Sequence, residues 1–111
     1  MFGFGIKDKA KKILENQIGI FEPTSSWLNS IVTQGKQQDY NEYDVAIWYC
    51  ITEWKFEIDN AINTNFNRGY HYTQIKAQME KLKEIEKSAH QDTGYELEIK
   101  KISEKLEELK E

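Results

Sequence analysis

YNEYDVAIWYCITEWKFEIDNAINTNF, residues 40–66, is the stretch on which the fold turns. Tyr40, Tyr43, Ile47, Ile51, Trp54, Ile58, Ile62 and Phe66 follow one another at spacings of three or four, the period of one face of an α-helix. Within it, VAIWYCIT (residues 45–52) is rich in β-branched and aromatic residues and taken alone would suit a buried strand. No turn signal closes that run before Asn60, so the helix is the reading adopted. Val45, Trp48 and Phe56 widen the stripe beyond a single seam, which predicts a central helix touching several neighbours.

The same period continues on both sides. Ile6, Ala10, Ile13, Leu14 and Ile18 share a face while Lys7, Lys9, Lys11 and Lys12 take the others, predicting a helix over roughly 5–18 closed by Gly19. Pro23 marks a corner. Ser25 or Ser26 is expected to cap a short helix carrying Trp27, Leu28, Ile31 and Val32 and ending near Gly35, with QGKQQD (residues 34–39) as a loop. Phe66 is expected to end the third stripe and Gly69 to permit the reversal into a fourth, built on Tyr72, Ile75, Met79, Leu82, Ile85 and Ala89. AHQDTG breaks that pattern, and Thr93 with Glu96 has the spacing of a capping box. Tyr95, Ile99, Ile102, Leu106 and Leu109 then form a heptad-like seam. The short connection makes the fourth and fifth helices an antiparallel hairpin that could project beyond the body. The expected fold is all-α, a compact bundle of about five helices with a long central helix and this C-terminal hairpin, in one domain over residues 1–111.

Composition narrows the function classes. Aromatic residues make up 13 % of the chain, enough bulk to offset the entropy of ordering 111 residues. Net charge is −4 and Arg68 is the single arginine, which argues against a duplex nucleic acid partner. The longest unbroken apolar run is VAIWYCI, residues 45–51, far short of the roughly 20 residues a spanning helix requires. Cys50 is alone, and no signal-peptide pattern opens the chain, so a cytoplasmic location is expected.

Residues with chemical potential are few. His71 and His90 have no ligand partner at helical spacing, and no metal or cofactor is expected. Cys50 lies in the most apolar run and reads as an inert core thiol. Glu53 and Glu57, one turn apart, fit a solvated helix face better than an acid and base pair. With no phosphate-cradling loop, GxSxG or HExxH, an enzyme is not expected.

Surfaces are more informative than sites. Residues 1–21 carry a net +2 and residues 22–66 a net −5. Asp39, Glu42, Glu53, Glu57 and Asp59 combine with Tyr49 on the helix face opposite the main stripe, a mixture suited to a basic protein. In FNRGYHY, residues 66–72, Arg68, Tyr70, His71 and Tyr72 form a second candidate contact, since turns lie at the surface and Tyr and Arg dominate interface energies. The expected function is non-catalytic protein binding, as in a small inhibitor, immunity or adaptor protein. Two alternatives stand beside it. The basic helix over 1–18 could touch a membrane surface, and the C-terminal seam could form a homodimer.

Overall fold

In the computed structural model, which describes residues 4–90 and 94–110, five α-helices follow one another: α1 (Phe4–Ile13), α2 (Ser25–Lys36), α3 (Glu42–Thr64), α4 (Arg68–Ile85) and α5 (Tyr95–Leu106). The described residues contain no strand. The all-α expectation holds, with α3 packed against each of the other four helices.

Local chemistry sets the start of α3. The Asn41 side chain accepts the Asp44 N–H at 2.9 Å while the Asp44 carboxylate accepts the Asn41 N–H at 2.8 Å, a reciprocal capping box. This places the start at Glu42 rather than near Asp39. From there Val45, Ile47, Ile51, Trp54 and Ile58 are buried in one continuous core with Ala10, Leu14, Leu28, Ile75, Leu82, Ile102 and Leu106. Trp54 is anchored inside it by its indole N–H, which donates to Gln78 Oε1 of α4 at 2.8 Å. That bond satisfies two buried polar groups that would otherwise each cost about 1–3 kcal/mol.

The ends of the helices differ from expectation in instructive ways. α1 runs on through a π-type turn, Leu14–Ile18, and closes at Gly19 with φ 94°, the left-handed conformation glycine tolerates. At α2 the N-cap is Thr24, without a side-chain cap; Ser25 instead accepts Lys7 Nζ at 3.2 Å. Residues 34–36 are helical, not loop. Gly35 is a point of close approach inside α2, where an added Cβ would stand 2.7 Å from Tyr40 Cδ2. Phe66 does not end the α3 stripe: it lies past the helix and is 67 % exposed. Nor does Gly69 make the reversal, being already within α4. Asn65 and Asn67 make it, with φ 54° and 55°, because a short amide side chain tolerates that region better than any other non-glycine residue.

At the C-terminal side, α4 gives way to a 3₁₀ turn, Glu86–Ser88, and Ala89 is buried. Residue Thr93 of the expected capping box lies outside the described residues, and α5 begins after Gly94 in the left-handed region. α5 runs antiparallel to α4 and does not project, since it lies along α3 with Ile102, Leu106 and Leu109 buried. Lys55–Glu98 at 2.7 Å and Lys105–Asp59 at 2.5 Å cross from α3 to α5. Thus the heptad-like seam is used within the chain, leaving Ile99 half-buried at its edge. The α1 face is consumed similarly: Ala10, Ile13, Leu14 and Ile18 are all in the core, so the greasy side a membrane would need is covered. From the sequence, Phe2 or Phe4 would be expected to close the end of that helix; both lie outside the described side chains. No helix among the described residues is long and apolar enough to cross a membrane.

Candidate functional site

Tyr49, Glu53 and Glu57 occupy successive turns of α3, and segment 19–24 between α1 and α2 is tied to that face. The thread is Tyr49. Its side chain is fully buried, correcting the expectation that it stands on the outer face. Its oxygen accepts the Thr24 N–H at 2.6 Å and its O–H donates to Glu53 Oε1 at 2.8 Å. Burial, opposed by the Thr24 bond and aided by the neighbouring Glu53 charge, pushes its phenol up to about 12. Tyr49 therefore positions Glu53 and is no contact anchor of its own.

The two carboxylates are not on a solvated face. Both are half-buried, and Glu57 Oε2 is covered and has no hydrogen-bond partner among the described residues. Burial raises Glu53, although the Tyr49 O–H works the other way. For Glu57, burial first and the Glu53 charge second push the carboxyl up to about 7. A pair of this kind holds negative charge at an energetic cost that a nearby cation would remove.

Aromatic rings frame the pair. Phe56, one helical turn from Glu53 and beside Glu57 in sequence, is 57 % exposed and leans edge-on against Trp27, ring centroids 5.4 Å apart. Trp27 also meets Tyr49, at 6.1 Å. Glu22 adopts φ 52°, and Phe21 next to it is exposed beside a depression shared with Gln74 and Lys81 of α4. Trp27 is half-buried against the core, as the apolar face of its helix predicts. Phe56 is not, although the sequence pattern puts it in the widened stripe: it falls about 160° around α3 from Trp54, on the side away from the stripe.

The remaining sequence candidates lie elsewhere. Glu42 sits in the first turn of α3, eleven residues and roughly 16 Å of helix from Glu53. Asp39 is in the preceding turn with φ 55°, and Asp59 is occupied by Lys105. Arg68 is structural: its guanidinium donates to the Glu108 carbonyl and to Asn65 Oδ1, tying the α3–α4 bend to the C-terminal turn. The Tyr72 O–H donates to Glu107 at 3.4 Å with Lys76 Nζ 5.6 Å from its ring, and His71 Nδ1 is covered. Only Tyr70, 63 % exposed and stacked edge-on with His71, keeps the open character expected of that turn, together with Phe66.

Cys50 is fully buried, and burial holds its thiol well above the usual range. Among the described residues, no three His, Cys, Asp or Glu side chains stand together as a metal site. No family model, curated protein or solved structure matches this chain. The geometry alone therefore carries the functional reading.

Proposed function

We propose that this chain is a non-catalytic protein-binding module in the cytoplasm, of the inhibitor, immunity or adaptor kind, whose contact surface is the α3 edge formed by Glu53, Phe56 and Glu57 with Trp27. The observation that carries the reading is the covered, unpartnered Glu57 oxygen beside Glu53, flanked by a mostly exposed phenylalanine. A lysine or arginine from a partner would neutralise the half-buried pair from its open side, and Phe56 would give up its water to the same partner's apolar surface. Charge supports the choice, since residues 22–66 carry a net −5 and would speed encounter with a basic surface. Cys50, buried and held as a thiol, is no nucleophile, in keeping with a binding role.

The test is affinity capture from native cells on immobilised wild-type protein, with Glu57→Gln, Phe56→Ala and a control, Lys100→Gln, run beside it. A partner captured through this edge is lost with the first two variants, each weakening binding by a factor of about 30, and retained by the control. A captured partner that binds all four proteins alike refutes the proposal.

A further inference from the structure

Between α2 and α3, on another side of the bundle, lies a half-open cavity of about 370 Å³ lined by Ile31, Gln34, Gln38, Tyr40, Trp48 and Thr52. Its size is within the range of sites that hold small molecules. In a chain with 31 % charged residues its lining has none. The polar atoms there are two amides, a phenol, a hydroxyl and one indole. Thr52 Oγ1 donates to the Trp48 carbonyl at 3.0 Å, and the Tyr40 O–H donates to Gln38 Oε1 at 3.2 Å, so both hydroxyl protons are in use. The indole N–H of Trp48 is covered and has no well-aligned acceptor among the described residues. Its close neighbour is the Tyr40 oxygen, in a contact too poorly aligned to satisfy the donor fully.

That unmet donor selects a ligand chemistry. It needs an acceptor, and a charged acceptor would find no cation in the lining to balance it. The flat faces of Trp48 and Tyr40 with the Ile31 side chain suit a compact apolar body. We infer that this cavity binds a small uncharged molecule bearing a carbonyl on an apolar ring or short chain, with the carbonyl accepting from Trp48 Nε1. Tyr40 is the movable element of the site. It rests on Gly35, which is also where a smaller apolar recess lined by Ile6, Val32 and Val45 begins, so the ring has space to turn and admit the carbonyl.

N-acetylpyrrolidine is a suitable probe, having one tertiary-amide carbonyl, no N–H and no charge. Titrated into ¹⁵N-labelled protein, it moves the indole cross-peak of Trp48 and leaves that of Trp54, already bonded to Gln78, in place. Trp48→Phe keeps the ring and removes the donor, and weakens binding about tenfold, the worth of one buried donor left unpaired. Ile31→Trp fills the cavity without touching the donor and abolishes binding. A Trp48 cross-peak that stays still throughout the titration overturns the inference, since water then suffices for the donor. Equal affinity in Trp48→Phe overturns it too.

Discussion

Replacing Glu57 by Gln should make the protein more stable and a poorer binder at once. The carboxyl of Glu57 is pushed from 4.5 to about 7, chiefly by burial and then by Glu53. A tenfold change in proton affinity is about 1.4 kcal/mol, so the ceiling on the penalty is roughly 3 kcal/mol. Because the side chain is only partly covered, solvent screening brings this down to about 1–2 kcal/mol. The direction with pH follows from the raised value in the folded state. Below 4.5 the group is protonated whether folded or unfolded, and no penalty exists. As pH rises towards 7 the unfolded chain releases its proton while the folded one retains it, so stability falls across that window and levels off above it. Glu53, raised in the same direction, adds to the slope and is relieved of repulsion in the variant. Urea unfolding of wild type and Glu57→Gln at pH 4, 5.5, 7 and 8 measures the difference directly. The expected gap is near zero at the lowest pH and about 1–2 kcal/mol at the highest. A variant equal to or weaker than wild type at pH 8 refutes the account of an undercompensated carboxylate. A stabilised variant that still captures its partner would confine Glu57 to the fold and remove it from the interface.

Other outcomes follow from single contacts. Gly35→Ala, normally stabilising within a helix by up to about 1 kcal/mol, should here lower the urea midpoint by an amount equivalent to about 1–3 kcal/mol, because the new Cβ collides with Tyr40. Gln78→Met leaves the Trp54 indole unpaired and should cost about 1–3 kcal/mol in the same assay, with a shift in tryptophan emission. Asn65→Val forces a β-branched residue to φ 54° and should lower the thermal midpoint by an amount equivalent to about 1–2 kcal/mol, while Asn65→Gly should be close to neutral. Asp44→Ala removes the acceptor for Asn41 N–H, His90 N–H and His90 Nδ1, and should cost about 3 kcal/mol or more, read by calorimetry.

Helix identity was legible because it rests on periodicity, which Ile47, Ile51, Trp54 and Ile58 state without ambiguity. Helix ends were less so, for they are decided by individual backbone torsions. Gly35 does mark a stop, since α2 ends one residue later at Lys36, and it serves as a contact point besides; Gly69 has the same composition, yet packing keeps it within α4. Asn65 and Asn67 did the work of glycine. Of the candidate site, Glu53 and Glu57 were legible as part of an acidic face, but their one-turn spacing reads as solvated and both are half-buried; Phe56 was hidden because an aromatic residue on a crowded helix reads as core until its neighbours are placed. Tyr49 failed in the opposite way: the helical wheel points it outward, and segment 19–24, linked to it through the Thr24 N–H, covers it together with the Trp27 ring of α2.

The Asn41 and Asp44 pair reaches further than the helix it begins. Asn41 Nδ2 donates to the Ser88 carbonyl at 3.0 Å, and Asp44 holds both the N–H and the imidazole of His90, at 2.8 and 2.7 Å. One pair of side chains thus fastens together two places more than forty residues apart along the chain. The first turn of α3 and the approach to α5 must therefore open and close as a unit. Amide exchange at Asp44 and at His90 should proceed at matched rates, each slowed by the other's presence.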